Sequence, residues 1–129
     1  MGYRVVRLSE LAFEDRSYRD DEPPRHADDL TTALTLEHSR ARLWRYPPGT
    51  RGRRHADRAQ EEVFVVLAGE PTMYLDEPPE RVELESGAVV AVQAGTILQV
   101  RNEGEREAML FIYGAPPEQA GADFFPDIP

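Results

Sequence analysis

From about Asp29 onward, apolar and polar residues alternate in short runs that glycine and proline interrupt. A two-residue period predicts strands with one buried face. The runs are Leu30 to Glu37, Ser39 to Tyr46, Glu62 to Leu67, Thr72 to Leu75, Arg81 to Leu84, Ala88 to Val92, Ile97 to Asn102 and Ala108 to Tyr113. Residues 39–46 set Ala41 and Leu43 against Arg42, Trp44 and Tyr46. Glu62 to Leu67 is apolar on both faces, which predicts one face in a core and the other against a second sheet or subunit. Strands this short, joined by such turns, predict a β-sandwich or small β-barrel. Before them, Tyr3 to Leu8 reads as a strand, Ser9 as the cap of a brief helical turn, and Arg16 to Asp29 as a charged loop broken by Pro23-Pro24. After them, residues 115–129 carry no regular pattern, but Phe124-Phe125 are expected to pack back on the body. The division is a 1–30 extension, a 31–115 barrel and a 116–129 tail.

Composition narrows the chemistry. The chain has 129 residues, enough for one core, with 9 glycines and 11 prolines. All 15 cations are arginine and 24 residues are acidic, leaving a formal charge of −9. That balance argues against a phosphate-backbone binder, so no nucleic-acid partner is expected. The lack of cysteine excludes disulfides, thiolate metal sites and a cysteine nucleophile. No apolar run approaches the roughly 20 residues that span a bilayer, and a cytoplasmic location with no membrane partner is the expectation.

One stretch has a more specific spacing. Gly49, five residues, His55-Ala56-Asp57, four residues, Glu62, six residues and Gly69 resemble the first motif of the cupin superfamily. Gly87, five residues, Gln93-Ala94-Gly95, two residues, Leu98, three residues and Asn102 resemble the second in every spacing. The resemblance runs from about Leu43 to Tyr113. It implies an all-β, cupin-type double-stranded β-helix, or jelly-roll barrel, like that of compact single-domain bacterial cupins.

The resemblance also implies a set of site residues. Where such a barrel binds metal, the ligands fall here on His55, Asp57, Glu62 and Leu98. The second is a carboxylate in place of a histidine, and the fourth has no lone pair. Gln93 stands where the family has a proline. Strand geometry supports the grouping separately: His55 and Asp57 share a face if that segment is extended, and Glu62 heads an apolar face with Phe64 and Val66. A carboxylate there requires a partner. One imidazole and two carboxylates suit Mn²⁺, Fe²⁺, Zn²⁺ or Ni²⁺; the bland alternative is an empty site in which Glu62 pairs with His55 or an arginine. The ligand pocket is expected to comprise His55, Asp57, Glu62, Phe64 and Leu98, with Arg51, Arg53 and Arg54 as anion contacts at the barrel mouth. His26 and His38 read as surface residues. No serine lies in a nucleophile-elbow pattern, and no catalytic residue can be assigned. Two functions follow: a barrel that binds a small organic ligand without metal or catalysis, or a divalent-metal-dependent enzyme of oxygenase, isomerase or cyclase type. The apolar outer residues Val63, Val65 and Leu67 lead to the expectation of a homodimer.

Overall fold

The computed structural model describes residues 2–17, 19–117 and 120–128. Eleven strands form two antiparallel sheets. One contains β1 (Glu14–Asp15), β2 (His26–Asp29), β3 (Arg40–Tyr46), β5 (Glu61–Ala68), β8 (Val89–Val92) and β10 (Ala108–Ala115), in the order β1-β2-β3-β10-β5-β8. The other contains β4 (His55–Asp57), β6 (Thr72–Leu75), β7 (Glu80–Glu83), β9 (Leu98–Arg101) and β11 (Ala122–Phe124), in the order β11-β4-β9-β6-β7. Sequence neighbours repeatedly land in opposite sheets, as β4 and β5 do, so the chain winds around a common interior. That winding is the double-stranded β-helix.

Alternation decides what each face buries. On β5, Phe64 and Val66 point inward and are almost fully buried, together with Leu98, Met73, Val100 and Leu110 from the other strands. On β3 the outward residues Ala41 and Leu43 are buried instead in a second cluster, beneath Leu30, Val6, Leu11 and Phe13. The N-terminal segment therefore covers the outer face of β3 and β10. Nothing in the described chain covers β5 and β8 in the same way. There Val63 and Val65 are half-buried, while Leu67 and Val89 are 48% and 64% exposed.

Glycine is required where the chain turns against itself. At Gly69 φ is +82°, and an added Cβ would lie 2.6 Å from the Glu107 carbonyl oxygen. Any side chain there meets fixed backbone in a conformation that L-residues avoid.

Four local expectations are corrected. Tyr3 to Leu8 forms no strand; only the 3-10 turn Leu8–Glu10 follows, with Glu10 accepting from the Arg7 amide at 3.0 Å, and its cap position is Arg7, not Ser9. Leu30 to Glu37 begins as a helix, α1 (Leu30–Ala33), because Asp29 accepts from the Thr31 amide and caps it. The supposed loop before Asp29 contains β2, which pairs with β3 from His26↔Arg45 to Asp29↔Arg42. The tail contributes β11, paired with β4. Short polar strands of this kind draw their stability from a neighbour already in place, so local pattern does not reveal them.

Candidate functional site

The interior opens into a cavity of about 440 Å³ between the two sheets. Its apolar wall includes Trp44, Tyr46, Phe64, Leu98 and Val100. At one level lie His55 and Asp57 from β4 and Glu62 from β5, whose ligand atoms all fall within 4.8 Å of one another. The β4 segment is extended, so residues 55 and 57 share a face, and Ala56 between them is buried on the other. Glu62 reaches the same place from the opposite sheet.

Hydrogen bonding fixes how the cluster is charged. His55 Nδ1 lies 2.9 Å from the Arg53 carbonyl oxygen, which can only accept, so Nδ1 carries the proton. Nε2 then faces the carboxylates, 3.8 Å from Asp57 Oδ2 and 3.7 Å from Glu62 Oε1. These are ion-pair distances, longer than hydrogen bonds. Glu62 Oε1 is buried without a hydrogen-bond partner. Three sets of lone pairs thus converge with nothing positive between them unless Nε2 binds a proton or the group binds a cation.

The pKa directions agree. Burial opposes charge on His55, but the neighbouring Glu62 carboxylate, the Arg53 carbonyl and Asp57 together raise its pKa above the ordinary value. Burial likewise opposes ionisation of Glu62, and His55 and Asp57 outweigh it, holding the carboxyl below the usual range. Both directions favour a proton on His55 opposite an ionised Glu62.

Leu98 completes the picture by what it lacks. It is the direct cross-strand partner of His55, it is 2% exposed, and it lines the cavity. An alkyl group therefore stands beside the imidazole, and the cluster has three donors. Phe64 lines the same cavity from β5 of the other sheet.

The three loop arginines do not act together. Arg53 lines the cavity, with its guanidinium 3.7 Å from the centroid of the Phe124 ring. Arg54 donates to Glu77 at 2.7 Å and to the Pro126 carbonyl at 3.2 Å. Arg51 is ion-paired with Glu22 and lies 3.4 Å from Asp127. The last two lie outside the cavity lining and tie the ends of the chain to the barrel. Phe124 does pack back, 6.0 Å from the His55 ring, although 53% of it stays exposed. Sequence reasoning missed Arg16, Arg25, Arg40, Arg42 and Gln60, all of which line the cavity. For Arg40 and Arg42 a signal existed: they alternate with Ala41 and Leu43, so burial of those two outside turns the arginines in.

The family model described as "Cupin domain" matches residues 42–113, more than half of the chain. The chain belongs to the cupin family. Its fold is shared with solved cupin structures at low identity. A predicted oxalate decarboxylase from Thermotoga maritima is 20% identical, with a TM-score of 0.76 over 88% of this chain and 99% of that one. A sugar phosphate isomerase of the cupin superfamily from Silicibacter pomeroyi is 19% identical, with a TM-score of 0.74 over 94% and 91%. A protein with a double-stranded β-helix domain from Klebsiella pneumoniae is 19% identical, with a TM-score of 0.72 over 96% and 98%. No curated protein matches the sequence. Among the described residues, no helix is long and apolar enough to cross a membrane.

Proposed function

We propose that this cupin binds a small, oxygen-bearing organic molecule in its cavity, above a divalent cation held by His55, Asp57 and Glu62. The observation that carries the proposal is the convergence of His55 Nε2 and the two carboxylates, with Glu62 Oε1 buried and without a hydrogen bond. One nitrogen and two oxygen donors suit Mn²⁺, Fe²⁺, Co²⁺ or Zn²⁺. The Arg53 carbonyl fixes the tautomer that leaves Nε2 free, the usual role of a partner behind a metal-binding histidine. When bound, such an ion supplies Lewis-acid polarisation of a ligand oxygen. The chain supplies the rest: an apolar wall of Trp44 and Phe64 for a ligand's carbon skeleton, and exclusion of water around Leu98. The names of two compared structures, a sugar phosphate isomerase and a predicted oxalate decarboxylase, support an oxygen-rich ligand.

Leu98 favours a second reading, in which no metal binds and His55 and Glu62 alone face the ligand as a proton donor and acceptor. Titration of the chelator-treated protein with Co²⁺ separates the two, read by calorimetry and visible absorption. Saturable one-to-one binding that His55→Ala abolishes supports the metal centre. Identical titrations of wild type and His55→Ala reject it.

A further inference from the structure

Across the cavity from the cluster, β3 presents Arg40 and Arg42 on its inward face. The strand register fixes where they stand. Arg40 pairs with Gly114 of β10, and Gly114 pairs with Glu62 of β5, so the three lie in one row across the sheet. Arg42, Ile112 and Phe64 form the next row. Two strand spacings separate Arg40 from Glu62 at the backbone, about 10 Å. The middle position has no side chain. A Cβ on Gly114 would overlap the Gln60 side chain, which lies across the gap.

The charge of this cavity is opposite to that of the protein. Five arginines, residues 16, 25, 40, 42 and 53, line it, against the carboxylates of Asp57 and Glu62 alone. The chain as a whole carries −9. Arg25 is occupied: it donates to the Tyr46 hydroxyl at 3.1 Å and stacks on Trp44. Arg16 pairs with Glu14 at 3.2 Å. Arg40 and Arg42 differ, because neither has an ion pair or hydrogen bond among the described residues. Desolvation and the adjoining Arg40 pull the Arg42 pKa down, and the more distant charges of Asp29 and Glu62 only partly offset them. The Arg42 side chain keeps its contact with solvent at the open side of the cavity.

We infer that Arg40 and Arg42 form an oxyanion clamp, which takes the carboxylate or phosphate monoester group of the ligand while its other oxygens face His55, Asp57 and Glu62. Guanidinium groups present paired N–H donors that match either oxyanion. The roughly 10 Å between the Arg40 and Glu62 backbones fits a molecule of a few carbons with its acidic group at one end. The inference rests on the cavity being the ligand site and does not require the metal.

Calorimetry with inorganic phosphate and with malonate, at constant ionic strength, tests it. The wild type is expected to bind at least one of them at a single site, and the preferred probe identifies the kind of acidic group. Arg40→Gln/Arg42→Gln is expected to weaken that binding by at least about tenfold, since two charge-assisted contacts are lost. Arg106→Gln, a surface control paired with Glu70, should change nothing. Wild-type protein that binds neither anion at millimolar concentration overturns the clamp, as does a glutamine pair that binds within twofold of wild type. If circular dichroism shows the glutamine pair unfolded, Arg40→Lys/Arg42→Lys replaces it. Weaker binding with both charges kept then supports the clamp, and wild-type affinity overturns it. Co²⁺ titration of the same proteins reports the cluster separately. Loss of anion binding with Co²⁺ binding intact assigns the defect to the clamp, and failure of Co²⁺ to bind any of them counts against the metal centre only.

Discussion

Replacing Leu98 with histidine tests the geometry of the cluster most directly. Leu98 faces His55 across adjacent antiparallel strands, where opposed Cβ atoms stand about 4.5–5.5 Å apart. Both side chains line the same cavity. A histidine at 98 therefore brings a fourth donor to the three already within 4.8 Å of one another, and brings it on a strand. The gain expected for Co²⁺ or Zn²⁺ is at least about tenfold in affinity, or roughly 1.4 kcal/mol. The substitution also has a cost. Leu98 is 2% exposed within the inner core, and burying a leucine is worth about 1.5–3 kcal/mol. An imidazole recovers part of that contact but adds a polar nitrogen, so metal-free Leu98→His should lose about 2 kcal/mol. For a chain of this length that lowers Tm by roughly 8 °C. Metal at about a hundredfold excess over Kd restores about 2.7 kcal/mol, enough to bring the variant back to the metal-free wild type. Calorimetry and melting curves with and without Zn²⁺ measure both effects, and His55→Ala/Leu98→His should lose the gain. A folded Leu98→His protein that binds no more tightly than wild type refutes the placement of residue 98 beside the cluster.

Three further outcomes are expected. Glu62→Gln removes one anionic donor and should weaken Co²⁺ binding at least about tenfold; unchanged affinity eliminates Glu62 as a ligand. We propose that the open β5–β8 face is covered by a second copy of the chain, so light scattering should give a dimer mass for wild type and a monomer mass for Val65→Asp. A monomeric wild type at micromolar concentration rejects that interface. The Asp127 carboxyl is held below its ordinary pKa, first by Arg19, against the pull of burial, and then by Gln99 and Arg51. Its folded pKa being depressed, its stabilisation is present above the unfolded value of about 3.9 and lost as pH falls below it. Asp127→Asn should therefore melt below wild type at neutral pH by an amount that shrinks toward pH 3, and a constant difference rejects the pairing.

The barrel was legible in the sequence because its inner strands are marked twice. Glu61–Ala68 and Ala108–Ala115 carry the apolar pattern of strands that bury side chains, and the spacing from Gly49 to Asn102 places the turns between them. His55, Asp57 and Glu62 were legible for the same reason: strand periodicity and motif spacing independently put them on one face, and the structure brings them together. The outer parts were not legible. His26–Asp29 and Ala122–Phe124 are polar or short, and become strands only because β3 and β4 offer open edges. The arginines misled in the opposite sense. Arg51, Arg53 and Arg54 drew attention as neighbours in sequence, yet two of them bind the chain's own carboxylates and carbonyls.

The distribution of partners among the arginines bears on function more than their number does. Most of the carboxylates that approach an arginine closely do so at the periphery: Glu22 and Asp127 both pair with Arg19 and Arg51, and Glu77, Glu107 and Asp123 hold one arginine each. The exposed pairs among them, Arg45–Glu107 and Arg58–Asp123, contribute little stability individually, but all of them consume cations that would otherwise attract small anions indiscriminately. Inside the cavity the pattern reverses. The two carboxylates present are ion-paired with His55, and Arg40 and Arg42 face Glu62 across a glycine gap without a direct ion pair among the described residues. A cavity arranged in this way is electrostatically incomplete at both ends, with two carboxylates sharing one imidazole at the cluster and no anion at β3. A molecule with a carboxylate or phosphate at one end and a neutral oxygen at the other, the oxygen resting on a cluster that has gained its positive charge, answers both deficits at once. That complementarity is the strongest physical ground for treating the cavity as a binding site rather than a packing defect.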